Sequence, residues 1–400
     1  MPLAVGLTAC GEDTSPFAAA PYDASDQVAV NVGDDGAVVD YREPLEVTTT
    51  GGEGRITDVI ASDGAGRRVA GRLSADGTRW RSTGSLAAGV RYTVLVSTEK
   101  GGGAPGSRTL RFETKPADGR KLGVTFGPDK GTYGVGQPLV AQLSHRVQDP
   151  EERRTVERAL LVDSVPRTAG AWHWADDKTL HYRPREYWPA HASITARSAL
   201  QGVRIRDGLR GGASEPLAIR TGRRIEALVD MSTHTMTVRR NGQRLRTVPV
   251  TTGKPGFRTR TGVKVVLGKQ PFIRMQGTSI GIPEGSSESY DLPVHWNTQV
   301  TRSGEFVHGA PWSSGSHGSA NVSHGCTGMS SENAQWFYKL VRRGDIVKYV
   351  NGDGDRMPAF GNGFGDWNLS WPKWREGSSL LKETRGRETG SDAARLRFDF

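Results

Sequence analysis

Asn321-Val322-Ser323-His324-Gly325-Cys326, running on through Ser330-Ser331-Glu332-Asn333-Ala334, is the stretch from which the architecture can be read. Cys326 is one of two cysteines in 400 residues, and the other stands at position 10. Disulfides therefore cannot frame this fold, and a solitary thiol beside histidines points to reactivity. A second histidine, His308, precedes Ser323 with fourteen residues between them. Downstream, Ser330 or Ser331 can cap a helix, Glu332 suits its positive end, and Ala334, Phe337, Tyr338 and Val341 recur at i, i+3, i+4 and i+7. Gly344 is expected to end that helix, and Asp345-Ile-Val-Lys-Tyr-Val350 reads as a strand. Cys326 thus falls in a loop between a β-core and a helix packed on it, where backbone N–H groups can be aimed at a reacting carbonyl.

Upstream of the histidine the chain reads as β-structure. Ala227-Leu-Val-Asp230 and Thr235-Met-Thr-Val238 lead into Asn241-Gly242, a strong hairpin signal, and Leu245 to Val250 returns. Thr251 to Gly256 is rich in turn residues, and Val263 to Leu267 resumes as strand. Residues 276–293 are too long and too rich in Gly and Ser for a tight connection, so they are expected to form a mobile lid or a surface loop. From about 27 to 221 short alternating segments, including Val28–Val32, Leu45–Thr48, Tyr92–Val96, Leu110–Thr114 and Leu122–Phe126, are broken by Gly, Asp, Asn and Pro with almost no helical periodicity. That is the pattern of immunoglobulin-like β-sandwiches. Asp76-Gly-Thr-Arg-Trp80 and Asp177-Lys-Thr-Leu-His-Tyr182 repeat weakly at an offset of roughly one such domain. Trp172, Trp174 and Trp188 are expected in cores or between domains rather than on a sugar-binding face.

The fold expected is therefore mainly β: an N-terminal linker (1–26), two immunoglobulin-like domains (27–118 and 119–221), a β-rich catalytic domain with a short helix after the nucleophile loop (222–350), a tryptophan-rich segment packing back (351–377) and a mobile tail (378–400). The formal charge of +10 favours an anionic partner. Its basic residues are scattered in pairs such as Arg67-Arg68 and Arg239-Arg240 rather than gathered in a stripe with stacking aromatics, which speaks against nucleic acid. Leu7-Thr8-Ala9-Cys10 resembles a bacterial lipobox, so a signal cut before Cys10 and acylation of its thiol would tether the protein to the outer face of the plasma membrane.

A cysteine near its reference pKa of about 8.5 is mostly thiol at neutral pH, whereas a neighbouring imidazole can hold the pair as thiolate and imidazolium. His308 can be that neighbour. Gly325 lets the chain turn tightly, the N–H groups around Gly325, Cys326 and Thr327 could form an oxyanion hole, and His324 could donate there or order the substrate. A lone cysteine near histidines also fits a buried structural thiol. A zinc set of His308, His317, His324 and Cys326 would lack any CxxC pair and match no common structural spacing.

His308-Gly-Ala-Pro-Trp-Ser313 and Asn321-Val-Ser-His-Gly-Cys326, at this separation, resemble the active-site signature of the bacterial L,D-transpeptidases of the YkuD fold. Pro249 to Gly256, Ser303-Gly-Glu-Phe-Val-His308, Asn333 to Tyr338, Arg343-Gly-Asp-Ile-Val347 and Gly365-Asp-Trp-Asn368 are similar to the mycobacterial-type branch, which places two immunoglobulin-like domains before the catalytic one. The resemblance implies attack of Cys326 on the carbonyl of the third-position diamino acid of a peptidoglycan tetrapeptide stem, expulsion of D-alanine, and resolution of the thioester by the side-chain amine of a second stem. The resemblance implies that no cofactor, ATP or metal takes part. It further implies acylation by carbapenem β-lactams, an extracytoplasmic location, His308 as base, the Gly309 carbonyl as its orienting partner, Ser323, Gly325 and His324 as parts of the nucleophile loop, and Tyr290, Trp296, Asn297 and Thr327 near the substrate. Two positions depart from the family pattern: Gly328 where asparagine is usual and Gly309 where serine is frequent. An L,D-carboxypeptidase with the same acyl-enzyme and a wall-binding protein with an impaired site are the other readings. A papain-like protease is disfavoured because no helix begins at the cysteine.

Overall fold

A computed structural model describes residues 20–380 apart from positions 53 and 102. The Cys10 reading lies outside the described residues, as does the tail from 381. By contact density the chain divides into two compact units, one of residues up to Arg120 together with Gln201–Arg210, the other of Lys121–Leu200 and Gly211 onward.

The first unit is a sandwich. Strands Tyr22–Asp23, Pro105–Thr114, Arg91–Glu99 and Arg55–Asp63 lie side by side, with Ala37–Val39 also on Pro105–Thr114. Val28–Val30, Glu46–Thr49, Arg79–Ser82 and Gly71–Leu73 make the second sheet. Strict alternation in Arg91–Glu99 turns Tyr92, Val94 and Val96 inward, where they meet Val47, Trp80 and Phe112 in one core.

The second unit begins with another pair of four-stranded sheets, Val124–Gly127, Leu139–Leu143, Thr179–Pro184, Gly170–Trp174 and Gly131–Tyr133, Leu217–Thr221, Ser193–Ser198, Leu160–Val165. Trp172, Trp174 and Trp188 are buried here. This region also holds a helix, Pro150–Arg158, that hydrophobic periodicity does not announce because only Val156 and Glu157 are buried on it. Its signal is the cap: the Asp149 carboxylate accepts from the N–H groups of Glu151 and Glu152, and Pro150 opens the first turn.

Two further sheets follow. Gln243–Pro249, Thr235–Arg240, Ile225–Asp230, Ile346–Val350 and Gly262–Val265 form one, with Ile346–Val350 inserted parallel to Ile225–Asp230 in its middle. Asn241 and Gly242 both take positive φ, as a two-residue hairpin turn demands. The other sheet runs Gly268–Gln276, Asp291–Gln299, Phe306–Gly309, Thr327–Met329, and its last pair is parallel, with His308 opposite Gly328. Helix Ser331–Leu340 packs on Asp291–Gln299 and Phe306–Gly309, burying Ala334 and Phe337, and its Ser330 side chain accepts from the Asn333 N–H. Ser330, not Ser331, is the cap, and the helix stops at Leu340, before Gly344, because Val341 is already extended.

Residues 276–293 are partly strand: Gln276 pairs with Asp291 and Arg274 with Pro293, which leaves 277–290 as the connection. The Trp-rich segment folds back on the 121–200 region. Arg183 is enclosed, its guanidinium 4.8 Å from the Trp367 ring centre, 5.6 Å from Trp371 and 4.5 Å from Trp374, while it donates to the Leu369 carbonyl at 2.7 Å. The tail is expected from 378, yet Ser378 and Ser379 are buried and donate to the Glu157 carboxylate. Among the described residues no helix is long and apolar enough to cross a membrane.

Candidate active site

Parity in the parallel pair Phe306–Gly309 and Thr327–Met329 decides which side chains meet. Side chains two apart share a face, so His308 and Cys326 open on the same side while Thr327 turns inward. Both line a cavity of about 240 Å³ with Thr251, Tyr290, Trp312, Ser313 and His324. Cys326 and His324 also border a larger cleft of about 870 Å³, shared with Arg260, Gly304 and Glu305, and Tyr290 stands between the two spaces.

His308 is buried and its Nδ1–H donates to the Gly309 carbonyl at 2.9 Å, which leaves Nε2 as the lone-pair nitrogen. The Trp312 ring stacks on it at 5.9 Å between centres. Burial pushes the imidazole down to about 4, against the Gly309 hydrogen bond, which supports the charged form. Burial pushes the Cys326 thiol up to about 12; the Glu305 carboxylate adds to that, and the Phe306 backbone and Lys264 oppose it. Sγ donates weakly to the Gly304 carbonyl at 3.5 Å. Both shifts favour the uncharged thiol and imidazole over a thiolate–imidazolium pair, most firmly at the buried His308, since Cys326 itself is only half-buried.

The nucleophile loop is braced from several sides. Ser323 Oγ accepts from the Gly325 N–H at 3.1 Å and donates to the Cys326 carbonyl at 2.6 Å, closing the turn around Gly325, whose φ is +114°. The Gly325 N–H is thereby spent, which removes it from the expected set of oxyanion donors. Thr251-Thr252-Gly253-Lys254 is not a free loop: Thr251 and Gly328 exchange both backbone bonds at 2.9 Å, and the Lys254 N–H donates to the Ser323 carbonyl at 2.9 Å. Thr259 Oγ1 donates to the Gly325 carbonyl at 2.8 Å. Asn321 Oδ1 accepts from the Thr252 N–H at 3.0 Å and from its hydroxyl at 2.8 Å.

His324 borders the cavity, but its ring nitrogen Nε2 is taken up by a carboxylate. Its Nε2 meets Glu288 Oε2 at 2.7 Å, and its ring lies between Phe257 and Tyr290, at 4.6 and 4.9 Å. Glu288 also receives Lys254 Nζ at 2.5 Å, and these two hydrogen bonds, Lys254 first, hold its carboxyl below the usual range. The connection 277–290 is thus tied to the nucleophile loop through Glu288.

Three expected substrate contacts are corrected by placement. Thr327 is fully buried, with Oγ1 2.9 Å from the Tyr349 hydroxyl. Asn297 is fully buried and donates to the Val294 carbonyl at 2.8 Å. Trp296, at φ +62°, packs against Tyr338 and the core behind the cavity. Tyr290 alone of the four faces the substrate space. Among the described residues no three His, Cys, Asp or Glu side chains converge as a metal-binding set.

Behind the thiol lies a buried ion pair. Lys264 is fully buried, donates to Glu305 Oε2 at 2.7 Å and sits 3.8 Å from the Tyr349 ring centre; burial brings its ammonium down to about 8. Glu305 Oε1 accepts from the Arg260 N–H at 2.9 Å. A lysine in an alternating strand carries no signal that its head is inside.

A bacterial Ig domain model matches residues 37–204, and the L,D-transpeptidase catalytic domain model matches residues 224–348. L,D-transpeptidase 2 of Mycobacterium tuberculosis is 35% identical over 346 residues, which is 86% of this chain and 83% of that protein. The chain belongs to the L,D-transpeptidase family. L,D-transpeptidase 5 of the same species is 28% identical over 382 residues, 94% of this chain and 82% of the relative. An LD transpeptidase solved in complex with imipenem superposes with a TM-score of 0.50 at 35% identity, covering 58% of this chain and all of that one. Gly328 is closely packed in this L,D-transpeptidase: a Cβ there would lie 2.9 Å from Ala310 Cβ and 3.0 Å from Thr251 Cγ2, so the position has no room for a side chain unless those neighbours shift.

Proposed function

We propose that this L,D-transpeptidase works through a thioester on Cys326 and links third-position diamino acids of neighbouring peptidoglycan stems, releasing D-alanine. The observation that carries the reading is the shared cavity of Cys326 and His308, with the imidazole fixed by Gly309 so that Nε2 is the free base. Rotation of the Cys326 side chain brings Sγ from Gly304 towards this base. As Sγ bonds to the donor carbonyl, the thiol proton passes to Nε2; collapse of the tetrahedral intermediate breaks the C–N bond, and the imidazolium gives that proton to the departing D-alanine amine. A diamino acid side-chain amine then attacks the thioester carbonyl, loses its proton through His308, and the sulfur leaves as the thiol.

Because the neutral form of both partners is favoured at rest, proton transfer accompanies attack, and the thiol is spared from oxidation or alkylation while no acyl donor is bound. His324 acts through Glu288, holding Tyr290 and the 277–290 connection over the cavity. Carbapenems would acylate Cys326 by the same route, with ring opening in place of amine release. A cell-envelope location follows from a peptidoglycan substrate, and the lipid anchor at Cys10 is proposed from its sequence alone. The two immunoglobulin-like domains are bounded near 118 and 221. The test is incubation of the full chain with disaccharide-tetrapeptide: a dimer lighter by one D-alanine supports the transpeptidase, while D-alanine release without a dimer assigns the carboxypeptidase.

A further inference from the structure

The cavity wall around Gly328 is built unlike the rest of the site. A Cβ at this position would press on Ala310 Cβ at 2.9 Å and Thr251 Cγ2 at 3.0 Å and would only touch His317 Nε2 at 4.0 Å. His317 is half-buried, and its Nε2 stands 3.3 Å from Ser313 Oγ. Burial depresses the imidazole, and its charge when present bears on His308, which puts the two rings within electrostatic reach. Ser313 lines the cavity, where its neighbours Met275, Leu292, Val294, Ala310 and Trp312 are apolar. A mostly apolar pocket orients its ligand through a few placed polar groups, and the Ser313 hydroxyl is such a group on the side of the cavity facing Gly328.

We propose that Ser313, backed by His317, orients the acyl donor by donating a hydrogen bond to an acceptor oxygen of the donor peptide inside the cavity that Ser313 lines with Cys326 and His308. His317 Nε2–H donates to Ser313 Oγ and frees the hydroxyl hydrogen, which at rest has only the Ala310 carbonyl, 3.3 Å away. His317 is a positioning residue: it reaches the substrate through Ser313. The proposal rests on the transpeptidase reading.

The experiment measures D-alanine release from disaccharide-tetrapeptide by the full chain and by Ser313→Ala, Ser313→Thr, His317→Leu, His317→Gln and the Ser313→Ala/His317→Leu double variant. Active fractions are normalised by imipenem titration read as intact mass. Loss of one oriented hydrogen bond inside the half-enclosed cavity should raise KM about tenfold in Ser313→Ala and in His317→Leu with kcat changed less than about threefold. The double variant should be no worse than either single, because both act along one path, and Ser313→Thr and His317→Gln, which keep the donors, should recover most of the loss. Unchanged KM in the single variants, or additive losses in kcat accompanied by lower melting temperatures, would overturn the proposal. A wild-type chain that neither takes up imipenem nor releases D-alanine would instead remove the reading on which it rests, and the proposal with it.

Discussion

The cavity of Cys326 and the aromatic cage of Arg183 both take ionisable groups out of water, with opposite outcomes. Around Arg183 the charge survives: three tryptophan rings and the Pro184, Arg185 and Leu369 carbonyls surround the guanidinium, which burial lowers only to about 10. Around Cys326 and His308 burial dominates and favours the neutral form of each side chain. The difference lies in compensation. The cage supplies quadrupoles and carbonyl oxygens to a group that cannot neutralise, so it fixes the Trp-rich segment against the 121–200 region. The cavity supplies one carbonyl to the imidazole and a long contact to the thiol, and on the proposed function the rest of its surface is left for an acyl donor. One site spends its polar contacts on rigidity, and the other withholds them until substrate arrives.

The largest expected effect is on the cavity side. His308→Gln removes the proposed base and should slow acylation by imipenem by about 10²–10⁴-fold in stopped-flow measurements while the melting temperature above pH 7 holds, since there the imidazole is neutral in the folded and the unfolded chain alike. On the cage side, Trp374→Ala empties a fully buried ring site and exposes one face of Arg183; unfolding in denaturant should show a loss of about 3–5 kcal/mol, with the acylation rate per folded molecule unchanged. If acylation fell in step with stability, the two regions would not be separable in the way described.

A third expectation comes from linkage. His308 has a folded pKa lowered to about 4 from 6.5, so the unfolded chain binds the proton first as pH falls. Its contribution is fully present above about pH 6.5 and is lost progressively down to about pH 4, by about 3 kcal/mol. The slope of stability against pH over that window should flatten in His308→Gln. Acylation, for its part, should stay level between pH 6 and 8, whereas a midpoint near 6.5 would mean the imidazole is hydrated at rest.

Much of this was legible in the chain. Alternation and turn residues announce the sandwiches, Asn241-Gly242 announces its hairpin, and one cysteine between two histidines and a capped helix marks the nucleophile loop. What stayed hidden depends on partners distant in sequence. The Thr251–Gly328 exchange of backbone bonds and the Lys264–Glu305 pair join residues that carry no local signal. Thr327 and Asn297 lie close to the site in sequence but on the wrong face of their strands. The Pro150–Arg158 helix escaped because it buries too few side chains to show a period, although Asp149-Pro150-Glu151-Glu152 spells its start.

Smaller effects refine the comparison. The Glu288 tie is partly exposed, and such pairs contribute about 0–1 kcal/mol. Glu288→Gln should therefore raise KM for the tetrapeptide less than about fivefold, and more at low than at high salt. Ser330→Ala takes one cap from the helix behind the cavity and should cost about 1 kcal/mol in denaturant unfolding with kcat unaltered.

The most direct test of the thioester account is intact mass spectrometry of the full chain and Cys326→Ala, each incubated with disaccharide-tetrapeptide and rapidly quenched. The account predicts wild-type protein carrying the donor less D-alanine, a cross-linked dimer lighter by one D-alanine, and neither species with Cys326→Ala. Dimer formation that persists in Cys326→Ala would contradict it.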